Sequence, residues 1–194
     1  MRHAFKEWAV IVDALMRGRQ AIILRKGGLI EGPGGFQVEQ REFLLFPTWF
    51  HQQGQAVLPE AQARFDALGR LRPGPDVVRL EGFARVEAWR RLESPAAAGA
   101  LRGLHVWRDE VIAERFDWGR DKHIYVMAAR VFRLAAPVEL PMRDSYAGCK
   151  SWIELERDIA TEKARPALDD AVFAARLRRF HDALEAVANS AGLS

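Results

Sequence analysis

Four short segments of the chain bring together residue types that could bind a ligand or do chemistry. In the first, Arg25 and Lys26 precede two glycines, and two carboxylates, Glu31 and Glu39, follow. Glycines let a backbone approach an anion closely, and the adjacent cations would hold that anion. This segment therefore predicts an anion-binding loop, with a charged β-hairpin turn as the alternative interpretation.

The second segment, Phe46 to Gln53, combines aromatic rings, two amides and His51 directly after an apolar run. Loops that follow strands often carry sites, because a rigid scaffold positions them. His51 is thus a candidate acid–base group or ligand, although a lone histidine is more often structural. No His-x-x-x-His or His-Glu-x-x-His spacing is present to support a metal site.

The third segment, residues 105–123, is the densest mixture of tryptophan, arginine, carboxylate and histidine. Aromatic faces can stack on bases, and arginines can hold phosphates. The interleaved acids weigh against a simple nucleic-acid groove, since they would repel phosphate unless paired. An amphipathic helix with ion pairs along its surface is the alternative. The candidate binding residues of this segment are Trp107, Arg115, Trp118 and Lys122.

The fourth segment places Cys149 beside Lys150, with Trp152 close behind. A cysteine nucleophile would need a histidine and an orienting group close in space, and nothing in the sequence selects a histidine for that role. An inert cysteine is the default interpretation. Lys150 and Trp152 join Arg25 and Lys26 as candidate binding residues.

Arg130 interrupts a run that is otherwise apolar on both faces. A guanidinium in such a place needs a carboxylate or a phosphate as its partner. We expect a structural pair with a glutamate rather than a ligand contact, but Arg130 is kept among the candidate binding residues.

The composition limits the class of protein. The 194 residues are 49% hydrophobic and 28% charged, which is enough apolar material for a core and too much charge for a membrane protein. No apolar run approaches the roughly 20 residues of a spanning helix, and no signal peptide is evident, so a cytoplasmic location is expected. A single cysteine excludes an intrachain disulfide. The net charge of +3 is a mild basic excess, and 24 of the 29 basic side chains are arginine.

Hydrophobic periodicity predicts an α+β fold. The expected sheet is mixed but mostly antiparallel, with an N-terminal helix and a C-terminal helical segment. We predict one domain over residues 1–194, with a core over 1–160 and a C-terminal helix over 161–194. The predicted elements are helices over 5–16, 56–68 and 109–116, strands over 21–24, 43–46, 77–90 and 124–134, and a last helix with Pro166 in its first turn. Pro137 and Pro141 are expected to end the strand that begins at residue 124.

The chain as a whole resembles the DUF1802 family from residue 3 to about residue 160. The resemblance rests on five stretches: Phe5-Lys6-Glu7-Trp8-Ala9, Leu24-Arg25-Lys26-Gly27-Gly28, Phe46-Pro47-Thr48, Glu114-Arg115-Phe116 and Gly148-Cys149-Lys150-Ser151-Trp152. The family is one of unknown function, and some of its members are linked to restriction-endonuclease-type domains. The resemblance therefore implies a role in restriction-modification or phage defence, beside a partner nuclease.

The nearest match to a nuclease site of the PD-(D/E)xK class is Glu39-Gln40-Arg41, with arginine where lysine belongs and Glu31 as the preceding acid. Arginine hardly ever gives up its proton, so the match departs from the pattern at a functional position. A metal-dependent nuclease or hydrolase using Glu31, Glu39 and His51 is thus a rival hypothesis.

The leading hypothesis is a binding module for DNA or RNA. A structural or interaction protein without catalytic activity is the third interpretation. No Walker loop, Gly-x-Gly-x-x-Gly fingerprint or Gly-x-Ser-x-Gly elbow is present, so the sequence leaves any cofactor open.

Overall fold

The computed structural model describes residues 1–26, 31–32, 35–36, 40–119 and 122–191, with backbone alone at residues 31, 32, 35, 36, 51, 52, 190 and 191. Its strands are β1 (His3–Trp8), β2 (Ile22–Arg25), β3 (Glu31–Gly32), β4 (Gly35–Phe36), β5 (Glu42–Thr48), β6 (Val77–Leu92), β7 (Ile124–Pro141), β8 (Trp152–Glu154) and β9 (Arg165–Pro166). Its α-helices are α1 (Ala9–Met16), α2 (Pro59–Gly69), α3 (Pro95–Gly99), α4 (Asp109–Asp117) and α5 (Asp170–Ala191), with 3-10 turns at His51–Ala56 and Asp144–Tyr146.

One mixed sheet organises the described part of the chain. Its strand order is β2-β7-β6-β5-β1-β8, and β9 pairs with β7 beyond β2. Only the pairing of β1 with β5 is parallel; the other pairings are antiparallel. The expected α+β class with a mixed, mostly antiparallel sheet is therefore confirmed.

The sheet curls until its two end strands meet. Arg25, at the end of β2, donates from Nη2 to the hydroxyl of Ser151, just before β8, over 2.6 Å. Its guanidinium also lies 4.8 Å from the ring centre of Phe5 on β1. One side chain thus bridges the gap between opposite ends of the sheet.

The first predicted helix is correct only in its second half. Residues 3–8 form β1, which lies between β5 and β8, so both edges of its backbone are paired. Ala4, Phe5 and Glu7 are all buried there. The helix α1 begins at Ala9 and buries seven of its eight residues, and this all-round burial explains why a helical stripe was a poor guide to its start.

The long central hairpin matches the sequence pattern closely, apart from its prolines. β6 alternates buried and exposed side chains, as predicted for a half-buried antiparallel strand. β7 runs on past Pro137 to Pro141, so the expectation that Pro137 ends the strand is wrong. The register between the strands shifts between Leu80 and Gly82, and this irregularity accommodates Pro137, since prolines are tolerated at bulges.

The C-terminal helix is present but begins later than expected. Pro166 lies in β9, opposite Phe132, and not in the first turn of α5. α5 starts at Asp170 and inserts the fully buried Phe180 into the main core, which also contains Phe5 and Trp107. In the ranges described above, no helix is both long and apolar enough to cross a membrane.

Candidate functional site

A cleft of about 580 Å³ opens where β1, β5 and the start of β6 meet the loops that follow α2, α4 and β7. Its volume falls within the roughly 300–1,000 Å³ typical of ligand sites. Five cationic side chains line it: Lys6, Arg25, Arg72, Arg79 and Lys150. Five aromatic rings line it as well: Trp8, Phe46, Trp49, Phe50 and Trp118. We call this the cationic cleft.

The lining of the cationic cleft is one-sided in charge. Among the described residues that line it, there is no aspartate and no glutamate. Arg79 pairs at the rim with Glu81 over 2.8 Å, which reduces its charge locally. Arg72 and Lys150 form no salt bridge with a carboxylate in the part of the chain that the structure describes. The cleft is therefore suited to an anionic ligand.

Lys6 fixes one wall of the cleft. Its ammonium group donates to the carbonyl oxygens of Tyr146 at 2.7 Å and Gly148 at 2.6 Å. Burial lowers the pKa of Lys6, while the nearby Cys149 raises it and Lys150 lowers it further. Lys6 thus ties β1 to the loop that carries Cys149 and Lys150, and it adds a positive charge where that loop meets the cleft.

The parallel pair of strands delivers the aromatic residues. β1 and β5 run side by side with Trp8 opposite Thr48, so the segments that follow both strands leave the sheet at the same edge. Trp49 and Phe50 follow β5 directly, and Phe50 is 58% exposed. Trp118, at the end of α4, is 74% exposed. Large apolar rings are seldom left open to solvent beside one another, and here they border a cleft lined with cations.

The loop between α2 and β6 forms another wall. Residues 70–75 contain two prolines, and the sequence presents them only as an internal break. In the structure Arg72 lies with its guanidinium 5.4 Å from the ring centre of Trp49. Pro73 and Pro75 line the cleft beside it. A restrained loop therefore holds a cation over an aromatic ring at the mouth of the site.

A buried charge arrangement supports the cleft where β1 meets β2. The carboxylate of Glu7 is 1% exposed and lies 3.6 Å from Nη1 of Arg25, while its Oε1 accepts from the backbone N–H of Trp8 at 2.8 Å. Oε2 of Glu7 has no hydrogen-bond partner within the described chain. Burial lowers the pKa of Arg115 to about 10, while Glu7 raises it and Arg25 lowers it. Glu7 therefore lies between two arginines that it partly neutralises.

The structure brings three of the predicted binding residues into this cleft. Arg25, Trp118 and Lys150 line it together, although they lie far apart along the chain. Lys6, Arg72 and Arg79 line it too, but sequence reasoning did not select them. An assignment of residues 3–8 to a strand would have placed Lys6 and Trp8 on one face and drawn attention to both.

The other predicted binding residues lie elsewhere. Lys26 donates to the carbonyls of Phe116 and His123, at 3.2 and 3.1 Å, and Lys122 pairs with Asp117 at 3.3 Å. The remaining four have structural contacts: Trp107 is enclosed, Arg115 lies 3.9 Å from the ring centre of Trp107, Trp152 packs against Phe5 and Phe43, and Arg130 pairs with Asp170 beside Phe173. The expected partner of Arg130 was a glutamate; an aspartate takes that place.

The predicted catalytic residues cannot be compared with this site. Glu39 lies outside the described residues, and only the backbone of Glu31 and His51 is described, in β3 and in the 3-10 turn after β5. Across the described residues, no group of three or more His, Cys, Asp or Glu side chains could hold a metal ion. A metal-dependent site using these three residues therefore stays a prediction.

Comparisons with known proteins place the chain in a family. No match was found among curated proteins. The chain is similar to crystal structures of ASCH from Zymomonas mobilis and of two point mutants of that protein. Sequence identity is 12% in each case, over 80% of this chain; for the unmutated protein the alignment covers 87% of the ASCH chain with a TM-score of 0.47, and for one mutant 90% with a TM-score of 0.44. A family model described as a domain of unknown function matches residues 4–179, from β1 into α5, and the chain therefore belongs to the DUF1802 family.

Proposed function

We propose that the cationic cleft binds single-stranded nucleic acid, DNA or RNA. The observation that carries this proposal is the convergence of five cations and five aromatic rings on one cleft whose described lining contains no carboxylate. Phosphates of a strand would contact the cations, and its bases would stack on the rings. Neither feature alone would favour nucleic acid over another anion.

Exposed rings favour a single strand over a duplex. In a duplex the bases are stacked on one another and paired, so their faces are not available to a protein side chain. Trp118 is 74% exposed and Phe50 is 58% exposed, so both present an open face to a splayed base. Removing one such ring from a single-strand site costs about 1–3 kcal/mol, which corresponds to roughly 5- to 150-fold in affinity.

The proposal is tested by fluorescence polarisation with labelled single-stranded and double-stranded DNA and RNA at several salt concentrations. We expect single strands to bind more tightly than duplexes. We also expect log K to fall linearly with log salt, because cations release counterions from phosphates. Lys150→Gln should reduce the slope by about 0.7, the value of one phosphate contact to a single strand, and Trp118→Ala should weaken binding roughly 5- to 150-fold.

Lys163→Gln is the matched control, since it removes the same charge from an exposed lysine outside the cleft. Cys149 offers a second readout, because the single cysteine of the chain is exposed and lines the cleft. A bound strand should slow its alkylation by iodoacetamide. Binding that is absent or insensitive to salt, or equal losses in Lys150→Gln and Lys163→Gln, would favour a structural or interaction protein instead.

The wider part of the proposal is a role in restriction-modification or phage defence, beside a partner nuclease. It is supported only by the association that the family resemblance implies. Phage plaque counts on cells producing the wild-type chain or Lys150→Gln would test it. A requirement for the cleft predicts protection by the first chain and its loss with the second.

A further inference from the structure

A second group of cations lies away from the cationic cleft, on the face of α5 that packs near the end of α1. α5 carries Arg176, Arg178 and Arg179 within four residues. Arg176 is partly buried, whereas Arg178 and Arg179 are exposed. Arg19, which follows the last turn of α1, is also exposed. The cleft proposal uses none of these side chains.

Arg176 has an unusual environment for a guanidinium. Its Nη1 is enclosed and has no hydrogen-bond partner within the described chain. Burial lowers the pKa of Arg176, and the like charges of Arg179 and then Arg19 lower it further. A buried donor without a partner and two repelling neighbours are both unfavourable, so this arrangement destabilises the protein unless an anion offsets it.

Neighbouring carboxylates do not fill this role. Asp109, on α4, is engaged by Arg102 through both of its oxygens. Arg179 donates to the backbone carbonyl of Arg102, a neutral acceptor. Arg179 also packs against Gly103, where a Cβ atom would lie 2.7 Å from its Nη2, so this glycine leaves the space that the guanidinium occupies.

We infer that Arg19, Arg176 and Arg179 form a binding site for a phosphate-type oxyanion. A tetrahedral oxyanion offers several acceptor oxygens and carries the negative charge that three converging guanidinium groups require. Nη1 of Arg176 supplies a donor that is already desolvated and lacks an acceptor. Inorganic phosphate and the terminal phosphate of a larger ligand share this chemistry. The site is independent of the cationic cleft.

Thermal unfolding of the full chain in increasing inorganic phosphate tests the site, with sodium chloride of equal ionic strength as the salt control. We expect a saturable rise in Tm for the wild type, because a ligand that binds the folded state stabilises it. In Arg176→Met the midpoint of the phosphate titration should increase at least tenfold. Without phosphate, Arg176→Met should melt at or above the wild-type Tm, because the enclosed, unpartnered charge is gone.

Three further variants decide what the titration means. Arg178→Met, an exposed neighbour on the same helix, should respond as the wild type does. Arg19→Gln should shift the midpoint at least threefold, and it serves if Arg176→Met does not fold. Lys150→Gln, in the cleft, should leave the phosphate response unchanged, so that failure of the cleft and failure of this site are separate results.

The source of the phosphate is resolved by comparing a decathymidylate with and without a 5′-phosphate. A gain in affinity from the 5′-phosphate that disappears in Arg176→Met assigns the site to a strand terminus, and a response to inorganic phosphate alone assigns it to the free anion. The inference is overturned if the wild type shows no saturable response. It is equally overturned if Arg176→Met and Arg19→Gln both respond as the wild type does.

Discussion

Replacing Glu7 by glutamine tests the buried charge arrangement that supports the cleft. The glutamine side chain would keep the Oε1 acceptor for the backbone N–H of Trp8 and nearly the same volume, so the substitution removes little besides charge. That charge lies 3.6 Å from Nη1 of Arg25 and raises the pKa of the buried Arg115. Without it, two guanidinium groups would face each other across a neutral amide.

The magnitude follows from how well each arginine can escape. Arg25 is 21% exposed and can turn toward solvent, so its loss is small. The guanidinium of Arg115 lies 3.9 Å from the ring centre of Trp107, and burial already lowers its pKa to about 10 with Glu7 present. Leaving one charge of a buried pair without its partner costs about 3–5 kcal/mol. Because only one of the two arginines is confined, we expect a loss of about 3 kcal/mol.

Urea denaturation followed by tryptophan fluorescence measures this loss, and Glu87→Gln is the matched control. Glu87 pairs with Arg85 at 2.8 Å on the exposed face of β6, so its replacement should change the free energy of unfolding by less than about 1 kcal/mol. The double variant Glu7→Gln with Arg115→Met should be less destabilised than the sum of its single variants, by at least about 1 kcal/mol. A loss below about 1 kcal/mol in Glu7→Gln, or strict additivity in the cycle, would refute the reasoning.

Two further predictions concern stability. Burial lowers the pKa of His105 to about 4, so between about pH 6.5 and pH 4 the unfolded chain binds the proton that the folded chain excludes. Stability should therefore fall by up to about 3 kcal/mol as the pH drops through this window, and His105→Asn should remove that part of the dependence in urea titrations at about pH 4.5 and pH 7; equal slopes would contradict it. Gly18 has φ +66°, and a Cβ there would lie 2.3 Å from Leu168, so Gly18→Ala should lose at least about 2 kcal/mol in the same assay. Gly69→Ala, with nothing within 4 Å, should change stability by less than about 1 kcal/mol, and similar losses at both glycines would contradict the assignment.

The candidate site was only partly visible in the sequence. Arg25, Trp118 and Lys150 were selected because each stands in a segment of mixed cations and aromatics, and all three line the cleft. Trp107 stood in an equally promising segment, yet it is 1% exposed. Residue type and local spacing are the same for a ring that faces solvent and one that packs in a core, because burial depends on segments that are distant along the chain.

What the sequence determined by itself is the set of elements whose own periodicity records one buried face. β6, α4 and the α+β class follow from such patterns, since alternation or a helical stripe is a direct imprint of the solvent boundary. Only the tertiary structure decided that residues 3–8 form a strand, because their backbone is paired by β5 and β8, which come later in the chain. It also decided that Lys6, Arg72 and Lys150 face one cleft. The curl of the sheet sets the distances between them, and no local pattern encodes a distance across a sheet.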